Sequence, residues 1–414
     1  MAASELKWNN TALLVIDMQK DFILPGGPMH VKGGEAIVPS VIKAVEVARS
    51  RSIPVIWVVR EHDPLGRDVE LFRRHLYAAD KPKPTSKGSV GAELVDGLVI
   101  KDGDYKLVKM RFSAFFNTHL HSYLQGAGVN KLVITGVQTP NCIRQTVFDA
   151  VALDYHKVTV IVDATAAATP DIHIANIIDM TNVGVATPTL EEWYCWKDWI
   201  EDYVFRGKLS VLGTPCYDIA KNASELNWKN TALLVIDMQK DFIYGPICVK
   251  DGEAIVPNVI KAVEVARSRS IPIVWVVREH DPLGRDVELC RRHFYSADKL
   301  KPAAKGSVGA ELVEGLVIKD DDYKLVKTRF SAFFNTHLHS FLQGAGVNKL
   351  VITGVQTPNC IRQTVFDAVA LDYHTVTVIV DATAAATPDI HNANIIDMKN
   401  IGIATPTVEE WCRI

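Results

Sequence analysis

Three residue types, placed alike in each half of this 414-residue chain, could together perform nucleophilic chemistry. Asp17 closes the apolar run ALLVID, Lys109 closes YKLVK, and Cys142 follows the turn after KLVITGV. The same three recur as Asp237, Lys327 and Cys360. The thiol has the most telling context. The stretch TGVQTPNCIRQTVFDA at Thr135–Ala150 is repeated letter for letter at Thr353–Ala368. Thr139 is placed to cap the following helix and Pro140 to take its first position, which puts Cys142 in the first turn. Backbone N–H groups and the positive end of a helix dipole favour a thiolate there, a nearby lysine adds to that effect, and the same N–H groups can hold a developing oxyanion. Taken one at a time, a cysteine is more often inert core and a lysine a solvated charge, while an aspartate at a strand end is about as often a turn or capping residue as a functional one. Their coincidence at strand ends favours the chemical reading. Cys195, Cys216, Cys248, Cys290 and Cys412 have no such context.

The elements that must position these groups are legible from hydrophobic periodicity. ALLVIDM, IPVIWVVRE, YKLVKMRF, KLVITGV and KVTVIVDATAA read as strands, and VGVATPT as a sixth. EAIVPSVIKAVEVARSR, SAFFNTHLHSYLQGAG, PNCIRQTVFDAVALDY and PDIHIANIIDMTN read as helices between them. Near-continuous apolar strands alternating with helices predict a mainly parallel sheet of about six strands covered on both faces, an α/β three-layer domain. In such sheets ligands bind outside the strands' carboxyl ends, where strand order reverses, and the acid, the cation and the thiol all fall at that edge.

That unit is present twice. Residues from about Ala3 to Trp193 recur from about Ala223 to Trp411, and only the loop after Ile23 changes length, LPGGPMH against YGPIC. A period near 220 is a domain, not a solenoid repeat. The organisation predicted is a first domain over 1–196, a linker over 197–222 and a second domain over 223–414. The linker is aromatic and mixed rather than Gly/Ser-rich, so it is expected to pack rather than swing.

Bulk composition narrows the function classes. Hydrophobic residues make up 48% of the chain, enough for sizeable cores, and the formal net charge is −3 with the two signs interspersed. Nothing in that pattern suggests a nucleic-acid or membrane surface. The apolar runs are too short to span a bilayer, and the first residues carry no secretory h-region. Seven cysteines without CxxC pairs argue against a disulfide framework, which makes a reducing, cytoplasmic setting the expectation.

LLVIDMQKDF, KxRFSAFFNTxL, TGVQTPNC followed by TVFDA, and VIVDATAA, in that order, resemble the isochorismatase-like cysteine hydrolases. The resemblance covers nearly all of both halves and is nearest to the plant isochorismatase-hydrolase group. It implies a Rossmann-like fold with an Asp–Lys–Cys triad, here Asp17, Lys109 and Cys142, and Asp237, Lys327 and Cys360. It implies a non-proline cis peptide at Val137–Gln138 and Val355–Gln356, with the N–H groups of Gln138 and Cys142, and of Gln356 in the second half, facing the oxyanion. It implies that Gln19, Phe22, His62 and Phe115 line the substrate pocket, with Gln239, Phe242, His280 and Phe333 as their counterparts. Members of this family commonly self-associate, so the two halves are expected to pair as a pseudo-dimer, with homo-oligomers also open.

The function expected is hydrolysis of a C–N bond in a small amide or ureido/carbamoyl substrate through a thioester. Vinyl-ether hydrolysis needs the aspartate but not the thiol, and a non-catalytic small-molecule binder needs neither. No cofactor is implied. Nicotinamidases of this family carry a metal-binding Asp-x-His element near the second strand. This chain has Arg60-Glu61-His62-Asp63 there, with His75 downstream, so no metal is expected. His119 and His121 are two apart on an expected helix and point in different directions. Arg67, Arg73 and Arg74 could receive a substrate carboxylate, although a solvated basic loop is the plainer reading of each.

Overall fold

The computed structural model describes residues 8, 10–195, 228–250, 252–296 and 298–413. The chain divides into two compact units, Met1–Leu209 and Ser210–Ile414. The expected linker over 197–222 lies outside the described residues.

In the first unit the strands are β1 (Thr11–Ile16), β2 (Val55–Arg60), β3 (Tyr105–Lys109), β4 (Lys131–Val137) and β5 (Lys157–Ala166). The helices are α1 (Lys20–Ile23), α2 (Gly34–Ser50), α3 (Leu120–Gly126), α4 (Arg144–Ala152), α5 (Pro170–Asn182) and α6 (Leu190–Cys195). The second unit repeats them as β6 (Thr231–Ile236), β7 (Ile273–Arg278), β8 (Tyr323–Lys327), β9 (Lys349–Val355) and β10 (Thr375–Ala384). Its helices are α7 (Lys240–Ile243), α8 (Val256–Ser268), α9 (Leu338–Gly344), α10 (Arg362–Ala370), α11 (Pro388–Asn400) and α12 (Val408–Arg413). All strands pair in parallel, in the order β3-β2-β1-β4-β5 and its counterpart β8-β7-β6-β9-β10. The order reverses between β1 and β4, so the crevice lies where Asp17 leaves one strand and the Cys142 turn leaves the next.

Each sheet has five strands rather than about six. The segment expected as the sixth makes one parallel bridge, Thr159 to Ala186, with Val160 N bonded to Ala186 O at 2.8 Å. Pro188 follows and offers only its carbonyl, to Val162 N at 2.9 Å, because proline has no N–H with which to extend a ladder. The helix expected from Ser113 is regular only over Leu120–Gly126. Ser113 Oγ accepts from Phe115 N, Thr118 Oγ1 accepts from Leu120 N, and Asn117 has φ +51°, so local side chains win the backbone groups that a helix would use.

Helix α2 buries Ile37, Val41, Ala44, Val45 and Ala48, a three- and four-residue spacing that lays one face on the sheet. Each aliphatic side chain so removed from water contributes roughly 1.5–3 kcal/mol. Trp57 of β2 is fully buried in the same layer, its indole N–H bonded to Asp104 Oδ2 at 2.9 Å. β1 and β4 approach each other closely at Gly136, opposite Ile16. Gly136 has φ +110°, and a Cβ there would stand 2.0 Å from the Ile16 carbonyl oxygen, so only glycine permits this approach. Among the described residues no helix is long and apolar enough to cross a membrane.

Candidate active site

The strand ends bring the three chemical groups together. Lys109 Nζ lies 2.8 Å from Asp17 Oδ2, 3.3 Å from Cys142 Sγ and 3.2 Å from the Arg111 carbonyl. Asp17 and Lys109 are fully buried, and Cys142 is 4% exposed. The second half repeats the ion pair, with Lys327 Nζ 2.7 Å from Asp237 Oδ2. Asp17 leaves β1 in a left-handed conformation, φ +53°, which turns its carboxylate out of the strand's alternation. The Asp17 Oδ1 atom is buried and makes no hydrogen bond.

The thiol is carried by a single wide π-helical turn, Thr139–Ile143, ahead of α4. Such turns insert one extra residue and recur at functional sites. The Val137–Gln138 and Val355–Gln356 peptides entering these turns are cis. Thr139 does not cap the helix, as its sequence position suggested. Its hydroxyl pairs with His173 Nδ1 at 2.8 Å instead, because the π turn moves the first free N–H groups away from it. The turn is fastened from its far side by Thr146, whose hydroxyl donates to the Cys142 carbonyl at 2.7 Å and accepts from Ala114 N at 2.9 Å. One side chain thus ties the cysteine to the segment that follows the lysine.

Burial pushes the Cys142 thiol up, the Asp17 carboxylate pushes it further, and Lys109 and Arg60 oppose both. The resting sulfur is therefore a protonated thiol beside a carboxylate, not the free thiolate that a helix start alone favours. The helix dipole is a smaller effect than loss of solvation in so enclosed a place.

Sequence reasoning missed a further charged group in this electrostatic setting. Arg60 ends β2 and is paired in register with Lys109, and its guanidinium is buried. It donates to Glu70 Oε1 at 2.9 Å and to the Arg111 carbonyl at 2.8 Å, and its Nη2 lies 3.8 Å from Cys142 Sγ. Burial pushes its pKa down, but the adjacent Glu70 carboxylate, helped by Asp17, outweighs that and raises it above its ordinary value. Glu70 is likewise pulled well below the usual carboxylate range by Arg60 and Arg73 against a strong burial effect. Arg278 and Glu288 repeat the pair, with Arg278 Nη2 3.7 Å from Cys360 Sγ. The available signal was that IPVIWVVR ends on a charge at the same sheet edge as Asp17 and Lys109.

His62 accepts from Arg60 Nη1 at Nε2 (3.3 Å) and meets Asp68 Oδ1 at Nδ1 (3.2 Å). Burial first, and then the neighbouring guanidinium, push its pKa down to about 4, so it is neutral with Nδ1 as donor. Both ring nitrogens are committed, and a guanidinium stands on the only lone pair, so this donor set does not fit a metal. His75 is exposed, and His119 and His121 are engaged separately by Tyr105 and Tyr155.

Of the residues expected to line the pocket, Phe22 and His62 border a small, partly open cavity together with Met29, Arg60, Arg73, Tyr77 and Thr85. Gln19 does not line it. Its amide donates to the carbonyls of Arg60 (2.7 Å) and Ala92 (2.8 Å) and accepts from Arg60 N (2.8 Å), so it is spent on holding the end of β2, as Gln239 is at Arg278. Phe115 is not a wall of this cavity either. It packs on Tyr155 at 5.6 Å, as Phe333 packs on Tyr373, because the irregular segment before α3 turns it toward that ring. Arg67 is exposed and bonded to Asp63, and Arg74 reaches the Val69 carbonyl, which leaves Arg73 as the member of that trio at the cavity. The loop over the cavity is pinned from beneath, since Asp21 Oδ2 accepts from Thr85 N at 2.6 Å and a Cβ on Gly91 would meet the same carboxylate at 2.1 Å.

A doubly wound parallel sheet with an acid, a lysine and a cysteine at its switch point is repeated along the chain, and the isochorismatase domain matches residues 11–192 and 231–410. The chain belongs to the isochorismatase family. It is 72% identical over 188 residues to an Arabidopsis thaliana protein named "probable inactive nicotinamidase", covering 45% of this chain and 96% of that one. It is 36% identical over 178 residues to a ureidoacrylate amidohydrolase of Caulobacter vibrioides, covering 39% of this chain and 79% of that one. A crystal structure of an isochorismatase family protein from Desulfovibrio vulgaris is 39% identical, covers 44% of this chain and 96% of that one, and has a TM-score of 0.43.

Proposed function

We propose that each half hydrolyses a C–N bond of a small amide or ureido/carbamoyl compound through a thioester on Cys142 or Cys360. The observation that carries this reading is the reach of Lys109 Nζ to both Asp17 Oδ2 and Cys142 Sγ. Asp17 takes the thiol proton as sulfur attacks the carbonyl carbon, and Lys109 and Arg60 offset the charge that passes between carboxylate and sulfur. The N–H groups of Gln138 and Cys142 are assigned to the carbonyl oxygen as it gains charge. When the C–N bond breaks, protonated Asp17 gives its proton to the leaving nitrogen, which departs as ammonia or an amine. Water then attacks the thioester with Asp17 as base, releasing the acid and restoring the thiol. In the second half Asp237, Lys327, Cys360 and Gln356 take these roles.

A panel of nicotinamide, ureidoacrylate and N-carbamoyl amino acids, assayed for ammonia release, tests the proposal. C142A and C360A should each silence one half, and the double variant should release nothing. Turnover that survives in the double variant would sink the nucleophile assignment and favour a thiol-independent hydrolysis such as vinyl-ether cleavage. The name of the Arabidopsis relative motivates one competing reading, a protein that binds small amides without cleaving them. Saturable binding of the panel with no release by the unmodified chain would establish it.

A further inference from the structure

One nitrogen of the Arg60 guanidinium is surrounded in an unusual way. Three acceptors converge on Nη1, which has two hydrogens to give: His62 Nε2 at 3.3 Å, Glu70 Oε1 at 2.9 Å and the Met110 carbonyl at 3.2 Å. The arginine, the histidine and the glutamate are each 2% exposed or less. The second half repeats the two side-chain contacts, with Arg278 Nη1 3.4 Å from His280 Nε2 and 2.9 Å from Glu288 Oε1.

An imidazole nitrogen, a carboxylate oxygen and a carbonyl oxygen gathered about one point form a donor set for a divalent cation such as zinc. A second feature points the same way. His62 turns its other ring nitrogen to Asp68 Oδ1 at 3.2 Å, and a carboxylate behind the imidazole is the arrangement that orients metal-binding histidines. Among the described residues no three His, Cys, Asp or Glu side chains gather into a metal centre, and here the third donor is main chain. What occupies the point of convergence is the chain's own cation. The segment Arg60-Glu61-His62 puts that cation two residues before the histidine, at the spacing where an Asp-x-His element has its carboxylate.

We infer that the Arg60 guanidinium is a resident cation standing in a latent divalent-metal site, and that shortening this side chain turns the place into one that binds zinc. Arg278 does the same in the second half. The guanidinium's other nitrogen, Nη2, donates to the Arg111 carbonyl at 2.8 Å and faces Cys142 Sγ at 3.8 Å. The positive charge it brings to the sulfur is therefore fixed covalently, independent of metal supply and of chelators. Zinc holds nitrogen and oxygen at about 2.0–2.2 Å, so the three acceptors close by about 1 Å once the guanidinium is gone. Glu70 is not then left without a cation, because Arg73 Nη1 stands 3.3 Å from the same oxygen.

Metal binding to the full-length chain tests this without turnover, in a C142A background so that the thiol cannot serve as a substitute ligand. Equilibrium dialysis against zinc should load C142A/R60A with one ion per chain, and C142A with no more than its H62Q derivative takes up. Cobalt in place of zinc should give C142A/R60A the visible spectrum of a nitrogen–oxygen site. Adding H62Q or E70Q should weaken uptake at least about tenfold, and ethylguanidinium, the part of the side chain that R60A removes, should compete with the metal. If R60A unfolds in metal-free buffer, zinc should restore its thermal transition, since binding to the folded chain alone is folding free energy. Uptake that is equal with and without Arg60, that survives both H62Q and E70Q, or that is absent from C142A/R60A would overturn the inference, as would a variant that stays unfolded in zinc. None of these outcomes bears on whether Cys142 is a nucleophile. A chelator should also leave iodoacetamide alkylation of Cys142 in full-length C360A unchanged, and a rate that shifts would count against a covalently held cation.

Discussion

Removing the cation from the first-half triad exposes how the site is held together. Lys109→Met keeps an unbranched side chain of similar length and deletes only the ammonium. With Nζ 2.8 Å from Asp17 Oδ2, the attraction lost is about 6 kcal/mol at an effective dielectric of about 20. Burying each ion costs several kcal/mol, so the intact pair is close to break-even, while a lone Asp17 carries its desolvation uncompensated. The expected loss is about 3–5 kcal/mol of first-half stability at neutral pH, and D17N/K109M should recover much of it because no unpaired charge then remains. Denaturant-dependent hydrogen exchange resolves the halves, since peptides spanning the end of β3 and of β8 differ at Met110 and Thr328. The second half is expected to be unchanged. If K109M opens within about 1 kcal/mol of the unmodified protein, the scale of an exposed pair, the account of a desolvated pair is refuted.

Asp17 holds the thiol up, second to burial, so D17N in a C360A background should speed iodoacetamide alkylation of Cys142 at pH 8 while lowering ammonia release roughly 100-fold or more. Slower alkylation would reverse the sign assigned to the carboxylate. His62 and His280 are held down to about 4, mainly by burial, so between their ordinary value near 6.5 and about 4 only the unfolded chain takes up these protons. Stability should be fully present above pH 6.5 and fall toward pH 4 by on the order of 3 kcal/mol per histidine, and H62Q/H280Q should flatten the slope of urea stability against pH. An unchanged slope would place the acid sensitivity elsewhere. Gly136→Ala should cost more than about 3 kcal/mol, through the clash with Ile16 O and the φ of +110°, and a thermal midpoint unchanged by it would contradict the close β1–β4 approach.

Much of this site was legible because the chemistry falls where periodicity stops. Asp17 and Lys109 each close an apolar run and Cys142 follows the turn after another, and a parallel sheet puts all such run ends on one rim. Arg60 does the same, but REHD reads as the start of a polar loop, and its partner Glu70 sits ten residues on in a stretch with no regular period to place it. The roles of Gln19 and Thr139 were misjudged for a related reason. A polar side chain near a strand end is free to serve ligand or backbone, and only the three-dimensional path of β2 and the width of the π turn decide which. The sixth strand failed on a single residue, Pro188, whose missing N–H counts for more than the apolar letters before it.

The anchoring of the cavity loop has a consequence for how such a protein can change. Asp21, Gln19 and the bridge from His62 to Ser86 act as fixed bolts, and they hold main chain rather than side chains. Whatever lies between the bolts can be exchanged without loosening the sheet or moving the sulfur. The halves illustrate this, since Ala303 and Cys290 replace larger residues while the Arg278–Glu288 distance stays at 2.9 Å, the same as Arg60–Glu70. The cavity wall and the thiol turn are mounted on separate parts, so one copy can change its wall while the other keeps the old.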